Sequence, residues 1–477
     1  TDNYAEDEGG ALYIEERSVV QISESLFSGN VSDSEEGGAI YFQQSVVNIS
    51  DSSFTNNDAD EQGGAIYADE GSSGTFSRLA FVGNTAEDGG AVYVNQGSYD
   101  FGSIFGPSIE IFDSVFQDNS VTDEGGALTV ERSNVYLRNV RFIDNYSQEE
   151  GGAIYAKEDS VLSVFNSWFS GNEVGETYGE GGAIFADDTT LYVFGNSFSS
   201  NTADEGGAIY TNDGSWYDDF SDRTINHLVA IHHNTFSEND SDVANGNSDL
   251  EINTKGGFVS FNTFVGDDLF VNDEDWNNDN SDTEVVGNLF TAAEAFVVEG
   301  NESENSARGN VVGFSSAELT MVATSLSQRL SDQSVLLHYI PSLNSDAIDS
   351  VPQDEIGAFA PEGSWSGWST DQIGHPRSGA WDAGSIEARA AGLIYNFITF
   401  FPGSNAGTGA TTSGSPFIDG SANAATVVKR TIPNFAPNSA KLTSSMKASL
   451  RKLVRNNSAA TTVTCPVSYT HLTLPTI

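Results

Sequence analysis

The chain has 477 residues with 69 acidic and 19 basic side chains, a formal charge of −50, which disfavours nucleic acid or an anionic membrane as a partner of the whole molecule. Hydrophobic residues make up 38% and aromatics 11%, enough for a large core and too much for a globally disordered chain. The 48 glycines against 11 prolines, among many Asn, Asp and Ser, exclude a helical protein and point to an all-β chain of short strands and tight turns.

The chain opens at Thr1 with neither an initiator Met nor a charged-then-apolar leader, which reads as the interior of a longer protein with its signal peptide missing. From there Gly-Gly-Ala recurs, beginning at Gly9, Gly37, Gly63, Gly89, Gly125, Gly151, Gly181 and Gly206. In step with it runs Phe-x-x-Asn, at Phe27/Asn30, Phe54/Asn57, Phe81/Asn84, Phe116/Asn119, Phe142/Asn145, Phe169/Asn172, Phe198/Asn201 and Phe236/Asn239, with a weaker continuation through Asn262/Phe264 and Asn288/Phe290. A unit of about 26 residues holds three short strands and their turns, one rung of a parallel β-helix solenoid. About eleven rungs at the strand spacing of roughly 4.8 Å make a rod on the order of 50 Å long. The aliphatic residue after each triplet (Leu12, Ile40, Ile66, Val92, Leu128, Ile154, Ile184, Ile209) and the repeated Phe should form inward columns, and the Asn a ladder at one corner. Insertions at Gly97–Ser108 and Asn212–Asn226 should become loops, where binding usually resides.

The paired motifs over Gly9–Asn239 resemble the polymorphic outer-membrane protein repeat. That resemblance implies a right-handed parallel β-helix of the pectate-lyase-like kind in a surface-exposed or secreted, often adhesive, bacterial protein, and carries no catalytic site. Further on, residues 336–387 resemble the closing segment of bacterial right-handed β-helix proteins, through Ala347, Ile348, Asp349, Asp371, Gly374, Arg377, Asp382, Gly384 and Glu387. Asp346 and Ala383 depart from that pattern. The segment should cap the last rung, with Arg377 and nearby carboxylates satisfying open strand edges.

Composition then inverts: residues 388–477 hold eight Lys or Arg and one acid, so the β-helix domain is placed at 1–387 and a linker at 388–431. The apolar stretch around Ala390–Phe401 is broken by Asn396 and Thr399 and is too short for a bilayer core of roughly 30 Å, so no transmembrane segment is expected. Residues 432–466 put Leu442, Met446, Leu450, Leu453 and Val454 on one helical stripe ahead of a β-rich stretch. They resemble the truncated start of an outer-membrane-protein-A-like peptidoglycan-binding domain, a small α+β piece, which implies peptidoglycan as a partner of the parent protein. Residues 467–477 resemble a translated sequencing adaptor. The lone Cys465 gives no internal disulfide.

Two surfaces invite chemistry. Acids precede the glycine pairs at Glu36, Asp88, Glu124, Glu150, Glu180 and Glu205; stacked in register, such carboxylates gather counter-ions, and a diffuse Ca²⁺-binding edge is the sharp reading. A solvated acidic edge that keeps the rod soluble is the plainer one. Tyr41, Tyr67, Tyr93, Tyr155 and Tyr210 follow the aliphatic column and should face outward, a strip able to stack sugars or dock a protein, or simply to stiffen the sheet. Trp216 and Tyr217, in the second insertion, join them as candidate ligand-binding residues. Enzyme signals are weak: Asp267–Asp268 and His232–His233 lack companions at recognisable spacing. The expectation is a monomeric, extracellular or cell-surface adhesin-like rod for a glycan or surface-protein ligand. A polysaccharide lyase or glycosidase on the same fold is the alternative.

Overall fold

The computed structural model describes residues 1–351 apart from short interruptions, chiefly 96–107, 213–226, 242–247, 274–282, 301–306 and 326–334, together with 372 and 382–386. These residues fall in one compact unit, Thr1–Ala388, separate from Arg389–Ile477. They form a parallel β-solenoid of four stacked sheets. Each turn of the coil visits sheet 1 (as at Ile40–Gln43), sheet 2 (Val46–Ser50), sheet 3 (Ser53–Thr55) and a sheet of two-residue strands, sheet 4 (Asp58–Ala59). Sheets 1 and 2 have 11 strands, sheet 3 has 10 and sheet 4 has seven, continued among the described residues by single bridges at Thr202 and Asp240, so complete four-sided turns are slightly fewer than the expected eleven. Among the described residues no helix is long and apolar enough to cross a membrane.

Register follows the repeat. Ile66 pairs with Ile40 on one side and Val92 on the other, Phe81 with Phe54 and Phe116. The ten phenylalanines from Phe27 to Phe290 stack ring on ring with centroids 4.5 to 5.0 Å apart. All but the first are fully buried alongside the aliphatic column in one continuous core. That spacing is the distance between neighbouring strands, so an in-register parallel stack aligns like rings at van der Waals separation without further adjustment.

The glycine pair makes the tight corner into sheet 1. The first glycine of each pair takes a left-handed backbone, as at Gly125 with φ of 71°, which costs glycine little. The second passes so close to the next rung that a Cβ on Gly126 would stand 2.2 Å from the Gly152 carbonyl oxygen.

The asparagine ladder forms as expected and runs unbroken from Asn3 through Asn30, Asn57, Asn84, Asn119, Asn145, Asn172 and Asn201 to Asn239. Asn145 is typical. Its Nδ2 donates to Asn172 Oδ1 at 2.9 Å and to the Phe116 carbonyl at 3.1 Å, while its Oδ1 accepts from the amide and the side chain of Asn119. Both side-chain polar atoms are thus spent between rungs, where water has no access. Replacing Asn145 with Ala should cost about 3 kcal/mol, because the Asn119 donors and the Phe116 carbonyl lose their partners in a buried site. Urea unfolding followed by circular dichroism measures this, and an effect below about 0.5 kcal/mol would show the ladder to be energetically idle.

The structure adds a second ladder that the repeat does not announce. Asn196, Asn234, Asn262, Asn288 and Asn310 bond in series, the first four of them two residues ahead of a Phe of the stacked column. In earlier rungs that place is held by Ser25, Ser52, Ser114 and Ser167 or by Leu79 and Val140, and Ser167 and Ser114 accept from the Val140 and Leu79 amides.

The closing segment packs against the later turns of the coil. Its described residues lie along the flank of the coil: Gln372 donates to the Asn196 carbonyl and accepts from Thr235, Ser385 bonds Thr263, and the Gly384 amide donates to the Gly287 carbonyl at 2.7 Å. Ala347 and Ala383 pack with Leu289 and Phe314. The reason is the run of hydroxyls and amides that this side offers from Asn196 to Gly287, a set of partners for an irregular chain. Asp349, Asp371, Gly374, Arg377 and Glu387 lie outside the described residues.

Candidate functional site

The outward aromatic strip occupies the side of sheet 1 turned away from the main core. Tyr13, Tyr41, Tyr67 and Tyr93 stack with centroids 5.1, 5.4 and 5.3 Å apart. Thr129 interrupts, and Tyr155, Phe185 and Tyr210 continue the column as a second cluster. The expected direction is therefore right and the expected exposure wrong. Tyr41, Tyr67, Tyr93, Tyr155 and Tyr210 are all buried, Tyr93 at 1%, and Tyr13 of the first rung at 45% is the open one. Ring covers ring at the strand spacing, and hydroxyls along the first cluster are engaged: Tyr41 Oη donates to Asp69 Oδ2 at 3.1 Å, Tyr93 Oη to Glu131, and Tyr67 Oη accepts from Asn95 Nδ2 at 3.3 Å. Burial raises these phenols far above the usual tyrosine range. A sugar could not stack on rings already stacked on each other, so the strip stiffens the sheet. Trp216 and Tyr217 lie outside the described residues.

The acid ladder stacks in register, with bridges from Gln62 to Asp88, from Glu124 to Glu150, from Glu150 to Glu180 and from Glu180 to Glu205. Burial, reinforced by carboxylates on neighbouring rungs, pushes Glu36 up to about 7, Asp88 to about 6, Glu150 to about 8 and Glu180 to about 7, and raises Glu205. Glu124 is bridged by Lys157 at 2.7 Å, whose ammonium also lies over the Tyr155 ring. Of the six candidate metal ligands, Glu36 alone belongs to a group whose oxygens converge within 4.8 Å. Its companions are Glu8 and Glu35, so the expected edge is a line of separate carboxylates rather than a shared coordination sphere.

His232 ends the sheet-2 strand Val229–His232 and His233 follows it at the corner. His232 is buried with Nδ1 2.7 Å from Ser260 Oγ, and burial lowers it to about 3. His233, at positive φ, sits between the rings of Phe194 and Phe261.

Strand order reveals what the insertions share. The short connections from sheet 1 to sheet 2 link Glu131 to Asn134, Lys157 to Ser160 and Asp187 to Thr189. The long ones run from Asn95 to Ser108, from Asn212 to Val229, from Asp273 to Glu284 and from Gly300 to Ala307. All four join the same pair of sheets, so the strand ends that flank them lie along one edge of the coil. Sequence spacing located the first two, and only the strand count shows that they share a turn with two more.

With that geometry in hand, a family model described as the Chlamydia polymorphic membrane protein repeat matches residues 24–43, 51–69, 139–157 and 197–212. Each matched segment runs from a sheet-3 strand through the Gly-Gly-Ala corner to the end of the sheet-1 strand that follows it. No curated protein and no solved structure matches the chain. The matched segments carry the Phe, Asn and Gly-Gly-Ala positions that build the ladders, and the chain is accordingly a parallel β-solenoid with four segments similar to the Chlamydia polymorphic membrane protein repeat.

Proposed function

We propose that this chain is the rod of a bacterial surface protein of the adhesin type, which holds a row of loops along one edge for a glycan or protein ligand. The observation that carries the reading is the shared turn: four long connections replace the same short turn between sheets 1 and 2. The repeated Gly, Ala, Phe, Asn and Tyr are consumed by corners, core and ladders, which leaves recognition to residues between the repeats. The matched repeat family, whose name places it with membrane proteins, supports display at the cell surface. The peptidoglycan-binding resemblance of residues 432–466 supplies a wall anchor in the same reading.

The test replaces residues 96–107 and, separately, 213–228 by the two-residue turn that joins Glu131 to Asn134. The rod should keep its melting temperature to within about 3 °C, since the ladders do not run through these loops. Binding to a glycan array or to cultured host cells should fall to background in at least one variant. Undiminished binding in both would refute the loop-edge reading, and release of new reducing ends from an acidic polysaccharide by the wild type would replace it with the enzymatic one.

A further inference from the structure

The alanine of Gly-Gly-Ala is buried in the core from Ala39 to Ala208. The backbone bonds then place aspartates in the same column. Ala183 N donates to the Ala208 carbonyl, Ala208 N to that of Asp249 at 2.8 Å, and Leu250 N to that of Asp268 at 3.1 Å. Asp249 and Asp268 also hold each other. The Asp249 amide donates to Asp268 Oδ1 at 2.9 Å and the Asp268 amide to Asp249 Oδ2 at 3.3 Å. Asp249 Oδ1, on a residue 5% exposed, is buried with no hydrogen-bond partner. It shares its place with a backbone oxygen, for an ideal Cβ on Gly207 would lie 2.5 Å from the Asp240 carbonyl oxygen and 2.9 Å from Asp249 Oδ1.

Asp267, 1% exposed, ends the first asparagine ladder by accepting from Asn239 Nδ2 at 2.5 Å. Earlier members of the ladder are asparagines whose amides return an N–H to a phenylalanine carbonyl, as Asn239 does to Phe198 and Asn201 to Phe169. Asp267 has no N–H to return, and a buried carboxylate beside the Asp249 carboxylate calls for a positive charge. Among the described residues no Lys or Arg lies between Lys157 and Arg308 to provide it.

We propose that Asp249, Asp267 and Asp268 form a binding site for a hard divalent cation of the calcium type, closed by the Asp240 carbonyl. Mixed carboxylate and carbonyl oxygens in irregular geometry suit Ca²⁺, whereas Mg²⁺ demands a near-ideal octahedron. The only carboxylate trio among the described residues with oxygens already within 4.8 Å is Glu8, Glu35 and Glu36. Binding at the buried cluster therefore requires Asp268, its partly exposed member, to rotate onto the ion. The site uses none of the acid-ladder carboxylates and is independent of the loop-edge reading.

The test is calorimetric titration of Ca²⁺ into the full chain after EDTA treatment, at neutral pH and fixed ionic strength. The expected result is saturable binding that weakens at least about tenfold in Asp249→Asn and in Asp267→Asn and persists in the Glu35→Gln/Glu36→Gln double variant. The amide that Asp267→Asn introduces would complete the ladder with the missing N–H, so lost binding in that variant cannot be put down to unfolding. The melting temperature of Asp267→Asn without calcium should match or exceed that of the wild type. Absence of binding by the wild type, or affinity untouched by both aspartate substitutions, would overturn the site and leave shared protons as what neutralises these carboxyls.

Discussion

Alanine in place of Gly126 is expected to cost about 4 kcal/mol or more and to leave little folded protein at 37 °C, the range reached when a rigid contact offers no relief. The added Cβ would stand 2.2 Å from the Gly152 carbonyl oxygen and 2.7 Å from that of Tyr146. Neither oxygen belongs to a flexible side chain. Gly152 is fixed by its amide donating to the Gly181 carbonyl, and Tyr146 by its amide donating to that of Asn119. Moving one rung aside would lengthen the ladder bonds above and below it. The same clash waits at Gly38, Gly64, Gly152 and Gly182, each within 2.3 Å of a neighbouring glycine oxygen, so the spacing of the whole stack is set at this corner. Gly71 provides the control: its φ is 79° but nothing lies within 4 Å of its Cβ position, and Gly71→Ala should lose only about 1 kcal/mol, from backbone strain alone. Comparable unfolding midpoints in urea for the two variants would show that close approach between rungs does not limit stability.

The same stacking explains which features are legible in the sequence. In a parallel in-register coil each position of the repeat meets its own copies, so the Phe column, the aliphatic column and the first asparagine ladder follow from periodicity once the period is seen. Exposure does not. Tyr41, Tyr67 and Tyr93 leave the sheet on the expected side, yet whether a ring is covered depends on its neighbours in the column and on the carboxylates and amides that engage its hydroxyl. The second asparagine ladder is hidden because serine, leucine or valine holds its place in the early rungs and asparagine takes over at Asn196. Asp267 and Asp268 stand out in the sequence only as adjacent acids in an acidic chain. Their meaning comes from register, which puts one at the end of the amide ladder and the other next to Asp249 in the alanine column. The flank docking of Gln372 and Ser385 depends on contacts more than 100 residues apart in sequence, beyond the reach of a repeat.

Acidification should stabilise this protein across a range in which many proteins change little. Glu36, Glu150 and Glu180 rise from the usual 4.5 to about 7, about 8 and about 7, and Asp88 from 3.8 to about 6, first through burial and then through repulsion along the ladder, with Lys157 partly offsetting the rise at Asp88. A carboxyl whose folded value exceeds its unfolded one binds its proton more tightly in the native state. Its contribution is complete below the unfolded value and is lost as pH climbs through the folded one. Stability should therefore increase as pH falls from about 8.5 to about 5, the window those values define. Glu36, Glu150 and Glu180 remain partly open to solvent, and screening cuts the nominal 1.36 kcal/mol per pH unit to about 1 kcal/mol per residue in all, or on the order of 4 kcal/mol for the four. In melting temperature that is a rise of roughly 5 °C for a unit of this size. Melting curves by circular dichroism, in EDTA and at fixed ionic strength, follow the profile. Glu150→Gln with Glu180→Gln should raise the alkaline end and flatten the slope, since an uncharged amide in the ladder no longer has a proton to gain. A melting temperature that falls on acidification from about 8.5 to about 5 would mean that the stacked carboxylates are hydrated and independent, and that the ladder does not hold its protons as burial demands.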